Sequence, residues 1–149
     1  MPRFSRSFLF PDVNVWVALT YAGHVHHSVA RSWFEGLDSE ERVCFCRFTQ
    51  ISLLRLLTAQ AVMGTDDVMT QAEAWGAYDR WQQDERILFL EEPPGVEAPF
   101  RSLSRQPHSN AKNWADAYLA AFAAVSGMRF VTFDQAFQGR LANLLILKL

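Results

Sequence analysis

Phe8-Leu9-Phe10-Pro11-Asp12-Val13-Asn14-Val15-Trp16-Val17 decides how the rest of this chain is read. Residues 8–10 are apolar without alternation, the pattern of a parallel strand buried on both faces. Asp12 stands just beyond that strand, and residues 14–22 read as a helix. A strand, an acid and a helix in this order open a βα unit.

The pattern continues outward. Residues 27–37 form a second helix with Val29, Trp33 and Phe34 on one stripe, and 43–45 a second strand. Residues 49–62 predict a helix with Thr49 as N-cap, and 68–84 a long amphipathic helix carrying Met69, Ala72, Trp75 and Tyr78. Residues 87–90 are a third strand, and the proline- and serine-rich stretch 93–109 reads as a loop with one helical turn near Phe100. Residues 111–126 predict a helix closed by Gly127, a left-handed cap. Residues 130–132 are a fourth strand and 144–147 a fifth. Strands alternating with helices imply one α/β domain over residues 1–149, a parallel sheet of four to five strands with helices on both faces.

Composition sets limits. Among 149 residues, 50% are apolar and 20% charged, which suits a folded domain with a sizeable core. No apolar run is long enough to span a bilayer, and the basic-then-apolar start runs into Asp12 too soon for a signal peptide, so the expectation is cytoplasmic. Cys44 and Cys46, two apart in a strand, read as small buried hydrophobes rather than a disulfide or zinc site. The net charge of −2 excludes a polycation, yet twelve of the fourteen basic residues are arginine, the side chain suited to phosphate.

Three aspartates carry the chemistry. Asp12, Asp116 in Trp114-Ala115-Asp116-Ala117-Tyr118-Leu119-Ala120-Ala121, and Asp134 after Val131-Thr132-Phe133 each sit among apolar residues. A carboxylate there is costly without positive compensation. No lysine or arginine is near Asp12 in sequence, so if the three meet, a divalent cation is the natural partner. Asp12 and Asp134 lie past carboxyl ends of strands, where parallel sheets place their sites. Each acid also has a plainer reading: Asp12 and Asp134 as N-caps, and Asp116 paired with Lys112. His24, His26 and His27 do not share one face of an element, so packing or partner contact suits them better than metal binding.

These segments, Leu9 to Val15, Trp114 to Ala121 and Val131 to Asp134, resemble the signature of PIN domains, above all the VapC-type toxins of bacterial toxin–antitoxin pairs. His24 to Ala30 with Trp33-Phe34, and Thr49-Gln50 with Leu54-Arg55, resemble one VapC subgroup. The resemblance implies a three-layer α/β/α fold and an endoribonuclease dependent on Mg²⁺ or Mn²⁺, with Asp12, Asp116 and Asp134 as catalytic metal ligands. It implies supporting hydrogen bonds from Asn14 and Thr132, substrate or site roles for Gln50 and Arg55, a VapB-like antitoxin, and a homodimer. One position departs from the family: Ser52 stands where many PIN nucleases carry a glutamate, with Asp79 and Glu85 as candidate substitutes. That departure keeps open a PIN-like module that binds RNA or protein with little catalysis.

Overall fold

The computed structural model describes residues 7–149; the basic lead of the N-terminal stretch, residues 1–6, lies outside them. Five strands form one sheet, β1 Phe8–Pro11, β2 Arg42–Phe45, β3 Ile87–Phe89, β4 Arg129–Thr132 and β5 Leu144–Ile146, all parallel, in the order β3-β2-β1-β4-β5. The chain winds one way from β1 to β3 and the other way from β4 to β5. The order therefore reverses between β1 and β4, and a crevice opens at their carboxyl ends.

Helices α1 Val13–Thr20, α2 His27–Glu35, α3 Arg47–Leu57, α4 Gln60–Asp67 and α5 Gln71–Gln82 supply one core with Leu9, Val43, Phe45 and Val131 of the strands. On the other face α7 Asn113–Ser126 packs on Phe10, Cys44, Cys46 and Phe130, with α6 Glu97–Ser104 beside it. Leu9 against Phe10, and Phe45 against Cys44 and Cys46, show the two-residue alternation that sends side chains to opposite layers. The result is the expected α/β/α sandwich. Trp16 stacks on Phe45 at 3.8 Å in the first core, and Phe10 on Phe122 at 5.0 Å in the second. Both cysteines are free and buried, and burial pushes the Cys44 thiol up to about 12. Among the described residues no helix is long and apolar enough to cross a membrane.

Several boundaries differ from expectation. Helix α3 starts at Arg47, with Cys46 rather than Thr49 at the N-cap; the Thr49 hydroxyl reaches back to accept from the Cys46 N–H at 3.0 Å. The helix expected to run through 49–62 breaks after Leu57. There the Thr58 hydroxyl bonds to the Leu54 and Arg55 carbonyls, and Met69 N–H takes the Leu57 carbonyl. Residues 60–67 form α4 instead, kinked at Gly64, where φ is 80°. Helix α5 begins at Gln71 rather than 68, because Thr70 and Glu73 form a reciprocal capping box. In the stretch expected as loop, α6 makes two turns, with Pro99 in the first turn, where its missing N–H costs nothing.

Candidate active site

The β1–β4 pairing builds the site. Pro11 is in register with Val131, and the Asp12 N–H donates to the Val131 carbonyl at 2.8 Å, which sets Asp12 beside Thr132. Fully buried Thr132 is the hub: its hydroxyl donates to Asp12 Oδ2 at 2.8 Å and accepts from the Asp134 N–H at 3.0 Å and Asn14 Nδ2 at 3.4 Å. Asn14 Oδ1 accepts from the Phe133 N–H at 3.5 Å. Asp12 also accepts from the Val13 N–H, so it is an N-cap as well as a site carboxylate. Asp134 likewise caps a 3-10 turn, Gln135–Phe137, accepting from the Ala136 N–H at 2.9 Å.

Asp116 lies in the first turn of α7, which begins at this edge because its last turn feeds β4. The three carboxylates feel one another. Burial pushes Asp12 up to about 6, and the charges of Asp116 and Asp134 add to the rise. Burial also raises Asp116, opposed by Lys112 and reinforced by Asp134. Asp134 is held below the usual carboxylate range by the Ala136 N–H first, and by Lys112. Lys112 pairs with Asp134, at 3.0 Å, rather than with Asp116, and its own ammonium is favoured by all three acids. Their side chains are not gathered at coordinating distance: among the described residues no three His, Cys, Asp or Glu groups stand close enough to share an ion. Asp134 accepts from Lys112 and the Ala136 N–H, and Asp12 from Thr132 and the Val13 N–H.

Two arginines that sequence patterns do not single out come to this edge. Arg140 donates to Asn113 Oδ1 at 2.6 Å, and its charge reaches both Asp116 and Asp134. Arg47, the first residue of α3, lies over the Phe89 ring at 4.7 Å and donates to buried Gln50 Oε1 at 2.5 Å. Burial raises the Tyr78 phenol above its ordinary range, opposed by the neighbouring Gln50 and by Arg47. No carboxylate of the described residues pairs with Arg47. Arg55 is placed elsewhere, in the last turn of α3 beside Trp75, about 12 Å of helix axis from Arg47. Ser52 is half-buried on α3. Neither candidate to replace a glutamate there is near: Glu85 sits before β3 at the amino edge of the sheet with Asp84 and Arg86, and Asp79 is exposed on the half of α5 that leads to that edge. His27 begins α2 and its Nδ1 meets the Ala18 carbonyl at 2.7 Å, while His26 stacks on Phe133 at 4.7 Å, so these rings pack rather than chelate.

The PIN domain family model matches residues 9–141. Ribonuclease VapC41 of Mycobacterium tuberculosis is 44% identical over 132 residues, covering 87% of this chain and 90% of the relative. Ribonuclease VapC29 of the same organism is 33% identical over 125 residues, covering 83% of each. Among solved structures, VapBC2 from Rickettsia felis bound to a DNA fragment from its promoter superposes with a TM-score of 0.65 at 13% identity, covering 93% of this chain and 96% of that one. VapC20 from M. tuberculosis, a sarcin–ricin-loop-cleaving toxin, gives 0.63 at 18% identity, covering 89% and 94%. Those likenesses match the fold, and the sequence relatives reach further: the chain belongs to the PIN-domain family, among the VapC ribonucleases.

Proposed function

We propose that this chain, a toxin endoribonuclease of a toxin–antitoxin pair, hydrolyses RNA phosphodiester bonds with a divalent cation, Mg²⁺ or Mn²⁺, held by Asp12, Asp116 and Asp134. The observation that carries the reading is Asp12, a carboxylate only 7% exposed with no ion-pair partner among the described residues. Such a group is costly as a bare anion, and a bound cation offsets that cost. The donors are all oxygen, which fits a hard divalent ion. When bound, that ion supplies Lewis acidity, activating water and offsetting charge on the phosphate.

The chain's own groups do the positioning. Thr132 and the Val13 N–H hold the Asp12 carboxylate in one orientation, and Asn14 clamps the turn between β4 and Asp134. Lys112 and Arg140 temper the mutual repulsion of the acids before substrate binds. Arg47, fixed by Gln50 and Phe89 but not by an acid, takes a phosphate of the RNA strand. This role passes to Arg47 from Arg55, which lies too far along α3.

Labelled RNA incubated with the purified chain and Mg²⁺ is the test. Cleavage should stop in EDTA, return with Mg²⁺ or Mn²⁺, and fall at least ~10³-fold in Asp12→Asn and in Asp116→Asn. Cleavage that persists in EDTA, or in both variants, rejects the site. The VapC relatives and the VapBC neighbour support a VapB-like antitoxin as the inhibitor. A second copy of the chain would bury Ile51 and Trp75, 51% and 48% exposed, which flank a groove of about 320 Å³ between α3 and α5. Sedimentation should show a dimer that Trp75→Arg converts to monomer; a wild-type monomer rejects this face.

A further inference from the structure

The groove between α6 and α7 collects groups for which hydrolysis has no use. Glu92, Val96, Phe100, Arg101, Trp114 and Tyr118 line about 450 Å³ of open space, a size typical of small-ligand sites. Trp114 and Tyr118 stand one turn apart on α7, and Phe100 of α6 meets both edge-on, with centroids 6.2 and 5.8 Å away. An edge-to-face contact covers at most one face of a ring, and Trp114 is 61% exposed. The Tyr118 hydroxyl donates to Glu92 Oε1 at 2.6 Å, which fixes that carboxylate and leaves Oε2 without a partner among the described residues. Arg101 is neutralised by Glu97 at 2.8 Å, so the charge left over in the groove is the Glu92 acceptor.

We propose that this groove is a nucleobase subsite of the ribonuclease, in which an unstacked guanine of the RNA strand lies on the Trp114 face with its Watson–Crick edge on Glu92. The inference rests on the ribonuclease reading above. Its position supports it: Trp114 and Tyr118 lie two residues before and after Asp116, and Glu92 follows the carboxyl end of β3. Two helical residues turn the chain by about 200°, so the groove and Asp116 lie on opposite sides of one helix end, about 10 Å apart. A neighbouring nucleotide of one extended strand reaches across that width. Aromatic faces accept any base, so stacking alone would not select. The carboxylate does. It only accepts hydrogen bonds, and guanine alone presents two adjacent N–H donors, N1–H and the N2 amino group. Adenine and cytosine present one amino donor beside an acceptor, and uracil one N–H between two carbonyls.

The four nucleoside 5′-monophosphates titrated against tryptophan fluorescence in metal-free buffer test binding. Cleavage of a ten-nucleotide RNA with one guanine, and of the same RNA with inosine in its place, tests use. GMP should quench with a Kd at least tenfold below the other three. Trp114→Ala should remove the quench, and Glu92→Gln should remove the preference, both with unchanged circular dichroism. Inosine, which lacks the N2 amino group, should slow cleavage about tenfold in the wild type and not in Glu92→Gln. Full GMP affinity or an unaltered cleavage pattern in Trp114→Ala overturns the subsite, as does a groove that ignores GMP at millimolar concentration but binds an antitoxin peptide. Cleavage surviving Asp116→Asn while GMP still selects the groove would instead fail the acidic site and uphold the subsite, so the two readings fall separately.

Discussion

Asp12 is the residue at which stability and function oppose each other. Its pKa is pushed up to about 6 from an ordinary 3.8, chiefly by burial, while the Thr132 and Val13 hydrogen bonds oppose the rise. A raised carboxyl means that the folded chain holds the proton more tightly than the unfolded chain. The native state therefore loses stability as pH rises from about 4 to about 6, and at neutral pH the deficit is about 3 kcal/mol. Asp12→Asn removes the charge and keeps the shape, but the new amide faces a Thr132 hydroxyl already accepting from Asp134 and Asn14. The expected net gain in the metal-free chain is about 1–2 kcal/mol at pH 7, shrinking to nothing below pH 4. Thermal melts in EDTA across that range measure it, and parallel curves for wild type and variant would show that burial of this charge carries no such cost. The same uncompensated acid made the candidate site legible: an Asp in an apolar run is visible without coordinates. Lys112 was visible too, but as a neighbour of Asp116 along the helix; its bond to Asp134 spans 22 positions and needed the fold.

At the level of elements, strands and α7 were plain in the sequence because burial on both faces leaves little choice of residue. The Gly127 cap is an instance: its φ of 68° and ψ of 27° are those a left-handed helix end requires. Helix α3 was misread for a reason of chemistry. A threonine near a helix start can accept from a later N–H or reach back to an earlier one, and the sequence looks the same. Here it reaches back, from a fully buried position. Thr49→Val, which keeps the volume, should therefore leave the Cys46 N–H unpaired and cost about 1–2 kcal/mol in chemical denaturation; Thr49→Ser should recover most of it. A neutral valine variant would mean that the hydroxyl caps nothing. Helix α6 was hidden by its own composition, since Pro99 and the serines read as loop until Phe100 is seen against Trp114 and Tyr118 on α7. That placement, and with it the base subsite, depends on packing between segments and left no local pattern to find.

For the molecule as a whole, a net charge of −2 poses the question of how an acidic protein holds a polyanion. Its arginines are used unevenly. Arg31, Arg86 and Arg101 are paired with Glu35, Asp84 and Glu97, so their charge is cancelled locally. Arg47 is anchored differently, by an amide oxygen and an aromatic face, and keeps its full charge. The parallel register puts it there: Leu9 pairs with Val43, so Asp12 falls opposite Cys46, and Arg47 is the next residue along. Its guanidinium leans toward Phe89, roughly two strand spacings, about 10 Å, from Asp12. Arg47→Ala should then raise KM about tenfold with little change in kcat, because the lost contact holds the strand and takes no part in the bond-breaking step. The salt dependence gives a sharper reading. A single-stranded RNA that loses one phosphate contact should show a slope of log affinity against log salt shallower by about 0.7. Arg55→Ala, on the far turn of α3, should leave that slope where it was. Equal slopes for wild type and Arg47→Ala would mean that the free guanidinium beside Phe89 meets no phosphate, and that the strand crosses the acids by another route.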